Sequence, residues 1–134
     1  MYLLDTNIIS YWMRGDHALI ERIRRKSPSD LALSTITIAE IHYGIEKSPH
    51  KKRVRRERIK QICSQLEIFP FDESAALEYG TIRVYLEKQG MVISERDTQI
   101  AAIASANRLC VVTHNTKEFS RIEKLRVEDW YDPE

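Results

Sequence analysis

Hydrophobic positions along the chain follow two patterns, short apolar runs and longer stretches with helical spacing. The apolar runs predict strands at residues 1–4, 31–34, 68–69, 109–113 and 125–127. Because the runs at 68–69 and 125–127 are short, we expect a sheet of four or five strands. The stretches with apolar residues three or four apart predict helices at residues 7–13, 17–26, 37–46, 54–66, 73–89 and 96–107. Helices that alternate with apolar strands are typical of an α/β fold with a central parallel sheet.

Few residues interrupt this pattern, since the 134-residue chain has only four glycines and four prolines. Gly15 and Pro28 are expected to end the first two helices, and Pro49 separates the third helix from the fourth. Gly90 has the position of a helix C-cap. Because no repeat, low-complexity tract or linker divides the chain, we expect a single domain over residues 1–134.

The composition is that of an ordinary globular domain, with 43% hydrophobic and 31% charged residues, which excludes disorder and collagen-like repeats. No apolar run approaches the roughly 20 residues of a membrane span, and residues 1–15 lack a cationic signal-peptide start. The two cysteines, Cys63 and Cys110, form no CxxC pair and are expected in the core. We therefore expect a cytoplasmic protein without a membrane partner.

The net charge of +1 conceals a strong local asymmetry. Residues 51–60, KKRVRRERIK, carry seven basic side chains and one acid, whereas the other 124 residues hold fourteen basic and nineteen acidic groups. This basic segment has two interpretations. It is either a solvated helix face or a contact surface for phosphates or an acidic partner.

Polar residues at the expected carboxyl ends of the strands are the candidates for chemistry. Asp5 ends the first strand, and Asn115 follows the strand at 109–113. Glu40 lies in the first turns of the helix after the second strand, and Asp97 begins the helix before the fourth. Since ligands of open parallel sheets bind beyond the carboxyl ends of the strands, we expect these four side chains to meet at one edge.

Each of these residues also has a purely structural interpretation. Asp5 could cap the first helix, and Asp97, three residues after Ser94, could belong to a capping box. Glu40 could face solvent, and Asn115 could be a turn residue. Only the joint placement of the four favours a site.

Three neighbouring carboxylates need a cation to remain ionised together, and hard ions such as Mg²⁺ or Mn²⁺ prefer oxygen ligands. Such a site suits hydrolysis of a phosphodiester. The four histidines and two cysteines lack the ligand spacing of a zinc site. The chain also has no GxxxxGK[ST] loop, GxGxxG loop or GxSxG elbow, so nucleotide cradling and serine-nucleophile chemistry have no support.

Three stretches of the sequence resemble PIN-domain proteins and, more narrowly, the VapC toxins of bacterial toxin–antitoxin pairs. They are LLDTNIIS at 3–10, STITIAEIHYGIEKS at 34–48 and ERDTQIAAIASANRLCVVTHNTKEFSRIEKLRVEDW at 95–130. The motifs occur in the family's order, and the similarity extends from Tyr2 to Trp130. The resemblance implies a PIN-like three-layer α/β/α sandwich and a Mg²⁺- or Mn²⁺-dependent endoribonuclease.

The resemblance also implies which residues form the site. Asp5, Glu40 and Asp97 match the family's metal-binding carboxylates. Many PIN domains have an acid where this chain has Asn115, although VapC-like members often share the TxNTxEF form of residues 113–119. Glu118 is then the candidate for the missing carboxylate, directly or through water.

A mechanism follows from this set of residues. Water would attack the scissile phosphate in line and leave a 5′-phosphate and a 3′-hydroxyl, with one carboxylate as proton acceptor. Thr6 and Thr113 resemble the small hydroxyl residues that line such a site. Backbone phosphates of the RNA would be neutralised, without base specificity, by Lys51, Lys52, Arg53, Arg55 and Arg56.

The resemblance further implies partners. VapC-like toxins are usually homodimers that cut structured RNA, often tRNA or ribosomal RNA, and so stop translation. A VapB-like antitoxin silences them and often inserts an Arg or Lys beside the acids. Because the chain has no recognisable DNA-binding motif, we expect it to contact operator DNA only through the antitoxin.

Three other functions compete with this one. A non-catalytic PIN-like module that binds RNA or protein is favoured by Asn115 but opposed by the three acids. A receiver-like or phosphatase-like domain with Asp5 as phosphoacceptor lacks the paired acids and the lysine that a receiver requires. A metal-dependent DNase or flap-type nuclease shares the acids, but its usual extra elements do not fit into 134 residues.

Overall fold

A five-stranded parallel sheet organises the fold in the computed structural model, which describes residues 1–131. The strands are β1 (Tyr2–Leu4), β2 (Leu31–Ser34), β3 (Glu67–Phe69), β4 (Cys110–Val112) and β5 (Val127–Glu128). Their order is β3-β2-β1-β4-β5, so the first strand lies at the centre. All four pairings are parallel, which confirms the predicted sheet.

Within the described residues, seven helices connect the strands. They are α1 (Thr6–Met13), α2 (His17–Arg24), α3 (Thr35–Lys47), α4 (Lys52–Gln65), α5 (Glu73–Gln89), α6 (Glu95–Asn107) and α7 (Thr116–Phe119), with a short 3-10 helix at Pro28–Asp30. Six helices lie within a few residues of their predicted bounds. Helix α7 and the 3-10 helix were not predicted, and the last strand lies two residues later than expected. The sequence after this strand is acidic, and its last three residues lie outside the described part of the chain.

Two hydrophobic cores cover the two faces of the sheet, because successive strand residues point to opposite sides. Leu3 and Val111 face a core formed with α5, α6 and α7, whereas Leu4 and Val112 face a core formed with α1 to α4. The result is the predicted three-layer α/β/α sandwich. No helix within residues 1–131 is long and apolar enough to cross a membrane.

The strand order determines where a site can form. The chain goes from β1 outward to β2 and β3, then crosses back through α5 and α6 to β4 on the other side of β1. The connections that follow β1 and β4 therefore diverge at a topological switch point, where open α/β sheets bind their ligands. Asp5 follows β1 at this point, and Thr113 follows β4.

Candidate active site

Asp5 is fixed at the switch point by bonds to two elements. Its backbone N–H donates to the carbonyl of Val112 at 2.9 Å, which continues the pairing of β1 with β4. Its carboxylate accepts the backbone N–H of Thr6 at 2.8 Å and the hydroxyl of Thr113 at 2.7 Å. Asp5 is thus the N-cap of α1, as its structural interpretation predicts, and its carboxyl group also borders a pocket.

Glu40 approaches the same pocket from α3. The side-chain oxygen of Ser34 caps α3 by accepting the N–H of Thr37, which places Glu40 in the helix's second turn. The Thr6 hydroxyl donates to Glu40 Oε1 at 2.7 Å and lies 3.1 Å from the Thr37 hydroxyl. With 22% of its side chain exposed, Glu40 is held toward the sheet edge rather than facing solvent.

Asp97 and Asn115 complete the arrangement from α6 and the β4–α7 turn. The Asp97 N–H donates to Ser94 Oγ at 3.1 Å, so the predicted cap of α6 exists. The Asn115 amide donates to Asp97 Oδ2 at 3.1 Å, and the Asn115 N–H donates to the Thr113 hydroxyl at 2.9 Å. The capping role of Asp97 therefore coexists with a carboxylate that is oriented toward the site.

A cavity of about 300 Å³ joins these side chains. We call it the acid pocket, and its walls are formed by Asp5, Thr6, Asn7, Ser10, Tyr11, Arg14, Glu40, Asp97 and Asn115. The four residues expected to converge at one sheet edge thus share one cavity. Beside the pocket, hydrogen bonds connect Asn7, Thr113 and Asp5. The Asn7 amide lies 3.4 Å from the Thr113 hydroxyl, which donates to the Asp5 carboxylate.

Burial and, to a smaller extent, neighbouring charges destabilise the charged forms of Asp5 and Asp97 in the acid pocket. Burial is the main cause that raises the pKa of Asp5 to about 6, and the charges of Asp97 and Glu40 add to it. The hydrogen bonds from Thr113 and Thr6 act in the opposite direction. Burial also raises the pKa of Asp97, with further contributions from the charges of Glu40 and Glu118. A cation bound in the pocket would therefore stabilise the charged forms of Asp5 and Asp97.

The acids line one pocket but do not surround a common point. Within residues 1–131, no group of three His, Cys, Asp or Glu side chains is arranged to hold a metal ion. Existing bonds explain this: Glu40 is engaged by Thr6 and by Arg96, whose Nη1 lies 3.7 Å from Glu40 Oε2, and Asp97 is engaged by Asn115. The assignment of Asp5, Glu40 and Asp97 as metal ligands stays a prediction.

The remaining predicted residues of the site take different positions. Thr6 lines the pocket, whereas Thr113 is fully buried and uses its hydroxyl to orient Asp5. Glu118 lies on α7, close enough for its charge to affect Asp97, but it is not part of the pocket wall. Asn115, rather than Glu118, is in direct contact with the acids.

The basic segment, residues 51–60, forms part of α4, and several of its cations bind the protein itself. Arg55 donates to the carbonyls of Gly44, Ser48 and His50, so it caps the C-terminal end of α3. Arg58 donates to the Met13 carbonyl at the end of α1. These contacts tie α4 to the two helices that carry Thr6 and Glu40.

Two further predicted phosphate contacts share an acid. Lys52 and Arg56 both donate to Glu46, and these bonds lower the pKa of the Glu46 carboxyl, with Lys52 as the larger cause. Lys51 and Arg53 are exposed. The five predicted residues therefore divide into two exposed cations and three that have partners within the protein.

Sequence reasoning missed Asn7, Ser10 and Tyr11 on the pocket wall, and three further residues that carry charge or extend the hydrogen bonds of the site. Arg14 lies on the pocket wall, Arg96 pairs with Glu40, and Thr37 extends the hydroxyl network beneath Thr6. The position of Arg14 one residue before Gly15, at the end of α1, was the available signal. The contact between Arg96 and Glu40 joins residues 56 positions apart and has no local signature.

Comparison with known proteins shows the family to which this chain belongs. The PIN domain family model matches residues 2–125. Ribonuclease VapC2 of Haemophilus influenzae is 36% identical over 129 residues, which cover 96% of this chain and 97% of that protein. The tRNA(fMet)-specific endonuclease VapC of Shigella flexneri is 33% identical over the same length, with the same coverage of the two chains.

A solved structure shows the same fold. A chain in the crystal structure of VapBC2 from Rickettsia felis, bound to a DNA fragment from their promoter, superposes with a TM-score of 0.89. The two sequences are 34% identical, and the match covers 96% of this chain and 98% of that one. The receiver-like alternative is thereby excluded. This chain belongs to the PIN domain family and, within it, to the VapC ribonucleases.

Proposed function

We propose that this chain is a VapC-like toxin, a Mg²⁺- or Mn²⁺-dependent endoribonuclease that cuts structured RNA and so inhibits translation. A single domain over residues 1–134 would carry the activity. The observation that carries the proposal is the convergence of Asp5, Glu40 and Asp97 on one pocket at the carboxyl edge of the sheet. A relative named as a tRNA(fMet)-specific endonuclease supports tRNA as the substrate, with ribosomal RNA as the alternative.

The donor chemistry of the acid pocket fits a hard divalent cation. Its carboxylate, hydroxyl and amide oxygens are the ligands that Mg²⁺ and Mn²⁺ prefer, and no His or Cys is among its described wall residues. Asp5, Glu40 and Asp97 would hold the ion. When bound, it would supply Lewis-acid chemistry, lowering the pKa of water and stabilising charge on the phosphate.

The chain's own residues would orient these ligands. Thr113 and the Thr6 N–H hold the Asp5 carboxylate in place, and Asn115 does the same for Asp97. Glu40 would have to leave the Thr6 hydroxyl or Arg96 to turn fully toward the pocket. We assign Glu118 as an outer acid that acts on the site through water, because its charge acts on Asp97 from beyond the pocket wall.

The RNA backbone would approach along a second groove that joins the acid pocket. This groove of about 320 Å³ shares Thr6, Ser10, Arg14 and Glu40 with the acid pocket. Its other end is basic and is lined by His50, Lys51, Arg55 and Arg58. We propose that phosphates on either side of the cut lie here, so that positive charge offsets the acids.

A third cavity offers a place for an antitoxin. It measures about 580 Å³, lies among α1, α2 and α4, and has apolar walls that include Trp12, Ile23 and Ile62. Its rim carries four cations, Arg14, Arg24, Lys26 and Arg58. We propose that an apolar segment with acidic flanks, from a VapB-like antitoxin, binds this groove. Operator DNA would then be contacted through the antitoxin, as the promoter-bound VapBC2 relative suggests.

We also propose a homodimer. Helix α5 exposes Leu77 and Val84, which are seven residues apart and so lie on one helical face. Met91 and Val92, just after α5, are exposed as well. Exposed apolar residues on one helical face are typical of a protein contact. Light scattering on a Leu77→Glu and Val84→Glu double variant would show monomers if this face forms the dimer.

A cleavage assay tests the central proposal. Purified protein, free of bound partner, would be incubated with total tRNA and with ribosomal RNA in Mg²⁺, in Mn²⁺ and in EDTA, beside an Asp5→Asn variant. We expect a few discrete products that need the metal and are absent with the variant. Folded protein that cuts neither RNA in either metal would contradict the nuclease and favour a PIN-like binding module.

A further inference from the structure

Three aromatic rings form a cluster at the edge of the acid pocket. Tyr11 and Tyr131 are stacked, with ring centroids 3.9 Å apart and planes inclined by 21°. His114 meets both of them edge-on, at 4.9 Å from Tyr131 and 6.2 Å from Tyr11. The Arg14 guanidinium lies 5.4 Å from the centre of the Tyr11 ring. We call these three rings the aromatic cluster.

The cluster is directly connected to the acid pocket. Tyr11 and Arg14 belong to the pocket wall. The backbone N–H of His114 donates to the side chain of Asn7, another wall residue, and His114 is adjacent in sequence to Asn115. The cluster therefore adjoins the pocket that the carboxylates line.

The imidazole of His114 has a fixed orientation although it is on the surface. Its Nδ1 lies 2.9 Å from Asp129 Oδ2, and Asp129 Oδ1 accepts the N–H of Tyr131 at 2.9 Å. The side chain of His114 is nonetheless 44% exposed. A rigid, solvent-exposed aromatic face loses little conformational entropy when a flat ligand stacks on it.

Attachment of the C-terminal segment does not by itself explain the cluster. Trp130 already serves that purpose, because it is buried in the core and packs edge-on against Tyr2 at 5.0 Å. His114 contributes little apolar burial, since much of its ring faces solvent. Histidine and tyrosine rings beside a cation are instead what single-stranded RNA sites use to hold splayed bases.

We propose that the aromatic cluster is a nucleobase subsite, in which an unpaired base next to the scissile phosphate stacks on His114 while Arg14 binds the adjoining phosphate. This inference rests on the proposed function. It predicts that the enzyme selects an unpaired nucleotide beside the cut, because a base within a helix cannot leave its stack without an energetic penalty. The preference would thus be for loops of structured RNA.

An abasic-substrate cycle tests the subsite. After the cleavage assay has located a cut, a set of short RNA hairpins would be made. Each would carry one abasic ribose, placed in turn at the two nucleotides on each side of the cut. His114→Gln removes the ring but keeps a donor for Asp129, and His17→Gln is a matched control at an exposed histidine on α2. We expect His114→Gln to raise KM about tenfold with kcat within about twofold, the usual effect of losing one stacked base. The control should behave as the unsubstituted protein does.

The decisive result is the coupling between the two changes. At one position, the abasic ribose should raise KM of the unsubstituted protein about tenfold and leave KM of His114→Gln nearly unchanged, since the variant no longer stacks the base. His114→Phe keeps an aromatic ring, so the abasic ribose should raise KM of this variant by most of the factor seen with the unsubstituted protein. If the effects of His114→Gln and of the abasic ribose on KM multiply at every position, the subsite does not exist.

Failure of the inference and failure of the nuclease proposal give different results. If no RNA is cut, the nuclease proposal fails, and the subsite is then tested by binding fluorescent single-stranded RNA to Asp97→Asn with and without His114→Gln. Equal affinities of these two proteins, with melting curves that show both folded, would overturn the subsite as well. Discrete cleavage with purely multiplicative losses would overturn the subsite alone.

Discussion

The acid pocket and the basic segment are both groups of like charges, but the fold uses them in opposite ways. The acids come from three distant parts of the chain and meet, and their burial raises the pKa of Asp5 and Asp97. The cations are neighbours in sequence, and the fold separates them, with Arg55 and Arg58 bound to carbonyls at the ends of two other helices. The proposed site is thus assembled by the topology of the fold, whereas the local run of basic charge is largely used to hold α4 against α1 and α3.

The largest effect that this comparison predicts is the loss of cleavage on neutralising one acid. Asp97→Asn should reduce kcat/KM by at least about a thousandfold, because a lost metal ligand removes several kcal/mol of transition-state stabilisation. Its melting temperature should stay close to that of the unsubstituted protein. Rate measurements on a tRNA substrate and thermal melts by circular dichroism check both parts. Cleavage by Asp97→Asn at the unsubstituted rate would remove Asp97 from the site.

The next effect concerns stability and separates the two kinds of charge. Arg55→Ala should lower the free energy of unfolding by about 2 kcal/mol, because carbonyls at the end of α3 lose a charged donor. Arg53→Ala, at an exposed position of the same helix, is the matched control and should change it by less than about 0.5 kcal/mol. Urea denaturation measures both. Equal stability of the two variants would contradict the fastening role of Arg55.

Asp5 should behave in the reverse sense, because its charge is unfavourable in the folded protein. Its pKa is raised from 3.8 to about 6, so the folded state binds more protons between these values and stability falls as pH rises from about 4 to 6. Without metal at pH 7.5, Asp5→Asn should therefore be more stable by about 1 kcal/mol, the pKa effect less a weakened hydrogen bond.

Thermal melts at pH 4.5 and 7.5 in EDTA test this prediction. The gain from Asp5→Asn should be smaller at pH 4.5, where the carboxyl group is mostly protonated. Mg²⁺ or Mn²⁺ should raise the melting temperature of the unsubstituted protein and have little effect on the variant. A variant that is less stable at both pH values would show that capping of α1 outweighs the buried charge.

The smallest expected effect is on RNA binding by the exposed cations. Lys51→Glu and Arg53→Glu together should raise KM severalfold and reduce the slope of log KM against log salt by about one for each phosphate that is no longer neutralised. Their kcat should be unchanged, since they lie away from the acids. Kinetics from 50 to 300 mM KCl measure the slope. Unchanged kinetics would leave the basic segment as a solvated face that fastens α4.

Sequence patterns predicted most of the fold because apolar periodicity is a local property. Helix α7 was missed because four residues are too few to show apolar periodicity. The bounds of β5 were predicted too early because this edge strand alternates apolar Leu125 and Val127 with polar neighbours. Asp5 was predicted from its position directly after a strand, and Glu40 and Asp97 from their positions near the starts of helices that adjoin strands. The contact of Arg96 with Glu40 and the capping of α3 by Arg55 could not be predicted, because both depend on how separate helices pack against one another.

The structural and functional interpretations of the acids turned out to be compatible. Asp5 is the N-cap of α1 and Ser94 caps α6 at Asp97, so local capping fixes the backbone that presents both carboxyl groups to the pocket. Asn115 differs from them. It occupies the N-cap position of α7 without a capping side-chain bond, and its amide binds Asp97 instead. The hydrogen bond from its amide to Asp97 thus distinguishes Asn115 from a simple turn residue.

The central position of β1 has a consequence for synthesis on the ribosome. The strand and turn that hold Asp5, Cys110–Val112 and Thr113, are made more than a hundred residues after it. Domains fold during translation as their segments emerge, and the pairing of β1 with β4 cannot form before then. Because a chain that ends before residue 110 lacks this partner strand, we expect a nascent copy to stay inactive until Cys110–Val112 has been made.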